Sequence, residues 1–361
     1  MLSEIMVVLV LVAAEYPPFI PSSSGMGSEL LPSTVRSAGM GGISTALESP
    51  DGLSFSNPST SAWAPSSGVT WTAAWRTGDD AAWDGRMRFP SFSAIFPLPW
   101  RTVLAAGLSE RSRLLDCNKI EQDGYMGTLD WDGGLSEACV AASFRAAEWF
   151  AISLGSRGVF GSNRCEASLT GTAPGGPELP INTQYVDEAK FLPCWGLQVG
   201  ALVRLGVIDV GASILTDRRG NIKIDRDYSG DDEEESRGRY DLPGEFNAGV
   251  VARPFAWLSL GADVHSRKTM HILQSTVPDG SIIGLGAEAV VGSGFSARAG
   301  WSTTDGLWRD GATRWTSGVG YRFAGGAAGL DLSLSRETWE ESGETAVFVS
   351  LWSSEDWLGS N

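Results

Sequence analysis

Charge is sparse in this chain, and histidine is sparser still. Asp, Glu, Lys and Arg make up 19% of 361 residues, below the roughly 25% of ordinary soluble domains. Two histidines leave little for metal sites or His-dependent catalysis. The four cysteines, Cys117, Cys139, Cys165 and Cys194, show no CxxC spacing, so a zinc site has no footing in the sequence. Basic residues number 27 against 43 acidic ones, a net charge of −16 that argues against binding nucleic acid through a basic surface. Long apolar runs are missing too. The longest, Ile5 to Ala14, falls far short of the roughly 20 residues of a membrane-spanning helix. What remains is rich in glycine (45) and tryptophan (15), and 42% hydrophobic, which excludes a disordered chain.

Ile5–Ala14 has the apolar core of a secretory signal, with Val12 and Ala14 at the small-residue positions before a cut at Glu15. No Lys or Arg precedes it, and Glu4 stands where a positive charge belongs. Residues 1–14 are read as a signal peptide.

From Gly68 onward one pattern repeats. Val69, Trp71, Ala73 and Trp75 interleave with Thr70, Thr72, Ala74 and Arg76; Leu330, Leu332 and Leu334 interleave with Asp331, Ser333 and Ser335. Successive side chains of a strand point to opposite faces, so each segment has an oily and a polar side. About fourteen such segments follow one another, starting near Gly68, Arg86, Thr102, Leu135, Glu148, Phe191, Gly206, Gly244, Trp257, Ser281, Gly294, Ala312, Ala327 and Gly343.

Short turns at Arg145–Glu148, Arg253–Ala256, Gly292–Gly294 and Ala324–Gly326 alternate with long polar connections at Asp116–Gly134, Gly161–Lys190, Arg218–Asp241 and Arg267–Gly280. That rhythm belongs to outer-membrane barrels, with short periplasmic turns and long external loops. Tryptophans sit at both strand ends: Trp100, Trp149 and Trp257 by the short turns, and Trp131, Trp195, Trp301, Trp308, Trp315 and Trp339 at the others. They fit the aromatic girdles of a lipid-facing surface. The fold class is all-β: a closed antiparallel transmembrane β-barrel of about fourteen strands over residues 68–353, with a tail at 354–361.

Residues 15–67 differ, being rich in Ser, Pro and Gly. They contain Arg36-Ser37-Ala38-Gly39-Met40-Gly41-Gly42-Ile43, and then Asp51 and Asn57-Pro58-Ser59. This resembles the start of the FadL-like outer-membrane transporters and their PorV/PorQ-type relatives. There an Arg and a Gly-x-Gly run precede an Asp and an Asn-Pro-Ala, and here Ser59 stands in place of the Ala. The resemblance implies a fourteen-stranded barrel whose N-terminal segment folds into the lumen as a plug. The plug residues it singles out are Gly39, Met40, Gly41, Gly42, Ile43, Phe55, Asn57 and Pro58. Met40, Ile43 and Phe55 would contact an apolar ligand, and the others would shape the backbone. A dinucleotide-binding loop is excluded because Ser44 replaces the third Gly of GxGxxG and no βαβ unit surrounds it.

Asp209, Asp263, His265, Glu288, Arg298 and Asp331 fall on polar faces and are assigned to the lumen, as are Glu137, Arg145, Arg204, Arg253 and Arg322. Asp263 and His265 share a face, but a nucleophile placed beside them is missing, so they read as a lumen-lining pair rather than a catalytic one. The acidic run from Asp225 to Glu235 lacks EF-hand spacing and reads as a solvated external loop. No enzyme, metal or cofactor is expected. The function implied is passive uptake of hydrophobic small molecules across the outer membrane of a Gram-negative-type bacterium. The alternative is a PorV/PorQ-type docking protein for exported cargo. Partners are outer-membrane lipid and either a hydrophobic ligand or exported protein. Export would allow disulfides, of which Cys165–Cys194 and Cys117–Cys139 are the simplest pairing, against free thiols in the lumen wall.

Overall fold

The computed structural model describes residues 28–29, 34–49, 52–78, 87–122, 125–172, 180–228, 234–268, 270–272, 275–277, 279–292, 294–305, 311–323, 327–339 and 342–355. The signal-like segment 1–14, Trp308 and residues 356–361 lie outside them. No helix among the described residues is long and apolar enough to cross a membrane.

Strands dominate. They are β1 (Ser67–Gly78), β2 (Met87–Leu98), β3 (Thr102–Gln122), β4 (Tyr125–Ala147), β5 (Phe150–Thr172) and β6 (Pro180–Leu205). In β7, Ile208–Leu215 continues past a break as Arg218–Tyr228; in β8, Glu234–Leu242 continues as Glu245–Phe255. Then come β9 (Leu258–Arg267, continued by Met270–Ile272), β10 (Ser275–Val277, continued by Gly280–Val291), β11 (Phe295–Asp305), β12 (Thr313–Phe323), β13 (Ala328–Trp339) and β14 (Ser342–Glu355). Each pairs antiparallel with its neighbours, and β14 closes on β1 from Glu355↔Ser67 to Glu344↔Gly78. The result is a closed fourteen-stranded barrel.

The alternation read from sequence is the alternation of faces. Leu330, Leu332 and Leu334 are exposed on the outside of β13, while Asp331, Ser333 and Ser335 between them are buried. Leu260 is exposed and Asp263 buried on β9. Trp100, Trp149 and Trp257 stand exposed at the short turns, and Trp195 and Trp315 at the other side of the apolar belt. An exposed oily exterior around a polar, buried interior inverts a soluble barrel, and lipid is the solvent that makes it stable.

The barrel is lopsided in height. β3 to β6 run 21, 23, 23 and 26 residues, whereas β11 and β12 run 11 each. This corrects the sequence reading, which took Asp116–Gly134, Gly161–Lys190 and Arg218–Asp241 as loops. Most of those residues extend the strands, so β4 starts at Tyr125 and β6 at Pro180. Beyond the apolar belt an outer face needs no oily residues, so the alternation fades while the backbone pairing continues. The inner face there has a core of its own, in which Leu135, Val159, Phe191, Ile222, Tyr240 and Leu242 are fully buried together. The acidic run is partly strand as well: Asp225 pairs with Lys190 and Lys223, and Glu235 with Lys223 and Arg237.

The wall has a weak place beside β2. Pro90 lacks the N–H that a ladder needs. The β1–β2 register slips there, between Thr72↔Ser91 and Ala74↔Arg88. The β2–β3 ladder ends at Ser91↔Ser109. Farther out, β3 keeps β4 on one side. On the side β2 has left, Ser28–Glu29 pairs with Arg113 and Ser112.

The proposed disulfides are absent: Cys139, Cys165 and Cys194 are free and buried. Cys165 lies opposite Asp187 on β6, seven residues from Cys194, which at about 3.3 Å per residue is far beyond the ~7 Å limit for a bridge.

Candidate functional site

Residues 34–49 and 52–66 pack against the inward face of the wall. They start with a short helix, α1 (Val35–Gly39), capped by the Thr34 hydroxyl, which accepts from the Ser37 N–H at 3.1 Å. After α1 the chain turns through Gly41, at φ +70°, a conformation suited to glycine. A 3₁₀ turn at Pro58–Ser61 follows, capped by Asn57.

The wall receives this segment on glycines. A Cβ at Gly286 or Gly300 would overlap the Met40–Gly41 backbone, and one at Gly211 the Thr45 carbonyl. Side chains then fix it. Thr316 Oγ1 accepts from Gly41 N–H at 2.9 Å and donates to Gly39 O at 3.1 Å. Asp263 Oδ2 accepts from the N–H groups of Ser44 and Thr45 at 2.6 and 2.7 Å. Gln198 Nε2 donates to Phe55 O at 2.8 Å. Arg36 is gripped by Glu288 on β10 and donates to Glu48 O at 2.9 Å.

Each residue singled out from sequence can now be placed. Gly39, Met40 and Ile43 are buried, Met40 and Ile43 completely, in a cluster with Ala46, Leu47, Leu202 and Val251. Gly42 has open space where a Cβ would go. Phe55 packs with Leu53, Ile95 and Val103. Asn57 Nδ2 donates to Thr45 O at 2.8 Å and Ala201 O at 3.0 Å, while its Oδ1 accepts from Ser59 Oγ at 2.7 Å. Ser59 therefore braces the turn. Pro58 O accepts from Ser143 Oγ at 2.8 Å.

Of the polar residues, Glu288, Arg298 and Asp331 form one chain: Arg298 donates to Glu288 Oε1 at 2.8 Å and bonds Asp331. Asp209 pairs with Arg253. His265 lies beside Asp263, with 3.6 Å between Nε2 and Oδ2. Arg204 reaches Glu48 at 2.7 Å and stacks on Trp63. Arg322 lies over the Trp352 ring. Met40 and Phe55 thus touch the wall in this arrangement rather than open space.

Sequence reasoning placed Glu137 in the lumen but missed the layer it belongs to farther out. Arg111, Arg157 and Arg218 converge on Glu137 and Glu245, with contacts of 2.5–3.2 Å. Arg218 is wholly buried. A bulge between Glu110 and Ser112 turns Arg111 inward. This layer separates the outer apolar core from the N-terminal segment.

A cavity of about 40 Å³ lies between α1 and the short-turn ends of β11–β14, lined by Arg36, Ile43, Glu48, Arg298 and Asp331 among others. An apolar cavity near 150 Å³ takes up benzene, so this one suits a few waters. Among the described residues no group of His, Cys, Asp and Glu is arranged to hold a metal ion.

These features define a class: an outer-membrane β-barrel with a segment seated against the inside of its wall. Among solved structures, the chain is similar to the CymD monoaromatic hydrocarbon channel, at 14% identity and a TM-score of 0.60 over 91% of this chain and 98% of that one. It is also similar to the Pseudomonas putida toluene transporter TodX, at 14% identity and a TM-score of 0.59 over 92% and 100%. At that identity the likeness is one of fold, and it is the FadL-type fold that the N-terminal motif implied. No protein-family model and no curated protein matches the sequence. None of this supports the secretion-docking alternative or a PorV/PorQ relationship.

Proposed function

We propose that this chain is a channel for passive uptake of hydrophobic small molecules across the outer membrane, with residues 34–66 as its plug. The observation that carries the reading is a fourteen-stranded barrel that shares its fold, over nearly its whole length, with two hydrocarbon channels. The seated N-terminal segment supports it. Gly39, Gly41, Gly42, Asn57 and Pro58 shape the plug, and Met40, Ile43 and Phe55 offer apolar surface once it shifts. Of the lumen-side residues, Asp263 and Glu288 hold it in place, while Asp209, His265, Arg298 and Asp331 bond the wall behind it. No catalytic role is assigned to any of them.

An apolar ligand fits poorly through the small polar cavity at the short-turn end. The interrupted β2–β3 seam at Pro90 offers a sideways exit into lipid, where such a molecule is soluble. The test is flux into liposomes carrying the folded protein. A hydrophobic aromatic probe should accumulate faster than in empty liposomes, and a sugar of similar size should not. Equal flux of both, or none of the aromatic probe, overturns the reading.

A further inference from the structure

Asp263 and His265 occupy neighbouring inward positions on β9, directly behind the Ser44–Thr45 bend. Asn247 on β8 fixes how the imidazole is protonated. Its Nδ2 faces Ser56 O at 3.2 Å and Ser213 Oγ at 3.1 Å. A backbone carbonyl only accepts, so Nδ2 is correctly placed as the donor, and Oδ1 is left facing His265 Nδ1 at 2.8 Å. Oδ1 only accepts in turn, so Nδ1 carries a hydrogen. The neutral ring then turns a bare Nε2 lone pair toward the Asp263 carboxylate, and Nε2 is buried without a hydrogen-bond partner. Two lone pairs facing each other across 3.6 Å leave one obvious place for a proton.

We propose that Asp263 and His265 form a proton-operated latch on the N-terminal segment, holding Ser44–Thr45 when Nε2 is protonated and loosening when it is not. With the proton in place, the carboxylate faces an imidazolium as well as two amides. Without it, a buried carboxylate keeps its charge against the two amides alone, next to a repelling lone pair. Ionised carboxylates buried without a charge partner are costly. The surroundings bring little competing charge. Ile282 and Gly284 of β10 and Gly249 of β8 lie opposite the pair, and the segment itself brings Ser44, Thr45 and Ser56. The next charged groups on this face are Arg267, one inward position farther out, and Glu245 opposite it. Segment release, and with it flux, should therefore rise with pH as the imidazole loses its Nε2 proton.

This inference rests on the uptake reading, and the two are separable by experiment. The chain has only two histidines, so ¹⁵N-histidine NMR of the folded barrel in detergent is simple, with His271→Gln assigning the signals. The expected result is a neutral His265 protonated on Nδ1, gaining a proton on Nε2 on acidification, with the Ser44 and Thr45 amide signals shifting together with it. In Asp263→Asn the amides should stop following. A neutral His265 protonated on Nε2, or amides indifferent to its titration, overturns the latch whatever the flux shows. In liposomes, parent flux of an aromatic probe should rise with pH, and His265→Gln should lose that dependence. Thr316→Val, which frees the Gly39–Gly41 turn without touching the pair, should raise flux at every pH and keep the slope. A His265→Gln protein with the parent's profile refutes the latch and leaves uptake standing. A parent without flux at any pH refutes uptake, and the NMR result still decides the proton site.

Discussion

Asp263 Oδ2 and the Ser44 N–H lie 2.6 Å apart, joining β9 to a segment 219 residues earlier in the chain. The bond is possible because Gly249, beside Asp263, leaves room for the carboxylate, Gly261 leaves room for Ile43, and Gly284 for the Gly41 carbonyl. The segment is therefore held by a fit between its backbone and a glycine-paved wall as much as by hydrogen bonds. Gly300→Leu tests the fit. Its side chain would occupy the space of Met40 and Gly41. Inserting bulk into a packed site costs roughly 1–3 kcal/mol and displaces whatever yields first. The strand ladder is continuous there, so the segment should yield. The variant should keep the heat-modifiable gel migration of a folded barrel and admit small hydrophilic solutes in a liposome-swelling assay. Unchanged permeability would count against the fit.

Much of this was legible in the sequence because lipid imposes a strict period. Leu330, Leu332 and Leu334 announce their face by alternation alone, and the strand starts follow from such runs. Past the apolar belt that pressure ends. Gly161 to Lys190 therefore read as a loop, although it contains most of two extended strand arms. The charged layer was hidden for the same reason. Arg218 sat in a presumed loop, Arg111 is turned inward by a bulge, and Arg157 and Glu245 become partners only when β5 and β8 face each other across the lumen. Inward parity within strands would have flagged Arg157 and Glu245, but their pairing needs barrel closure.

That layer should matter to stability in a way that surface pairs do not. Glu245 contacts Arg111, Arg157 and Arg218, and removing it takes a carboxylate away from three buried guanidinium groups. Breaking a buried network typically costs about 3–5 kcal/mol. Glu148 meets Arg101 at 3.1 Å on the exposed rim, where a pair is worth about 0–1 kcal/mol. Denaturant unfolding in detergent should show Glu245→Leu far less stable than Glu148→Ala. Similar midpoints would mean that water reaches the layer.

The thiols give a chemical check on the wall. Cys139, Cys165 and Cys194 are free and buried. The folded, unreduced protein should leave these three untouched by maleimide. After unfolding without reductant, all four should label. Fewer than four labelled thiols would mean a bridge that this register does not allow.

The sharpest test of which face meets lipid compares two adjacent residues of β13. Leu332 is 42% exposed and Ser333 1%. Arginine on the lipid face near the midplane costs roughly 2–4 kcal/mol, so Leu332→Arg should sharply lower the yield of folded barrel. From the sequence alone, Ser333→Arg looks like the harmless control, because a polar lumen tolerates charge. The packing changes that expectation. Ser333 lies beside Gly318, where an added Cβ would come within 3.3 Å of the Gly39 Cα of α1. An arginine there meets the N-terminal segment rather than water. Ser333→Arg should still assemble, since the strand ladder and the oily exterior are untouched, but with α1 displaced and the barrel leakier. The two variants should thus fail in different assays: Leu332→Arg in the heat-modifiable band on a gel, Ser333→Arg in solute retention by liposomes. If both lose the folded band equally, the inner face is as intolerant of charge as the outer one, and assigning lipid to the leucine side would lose its support.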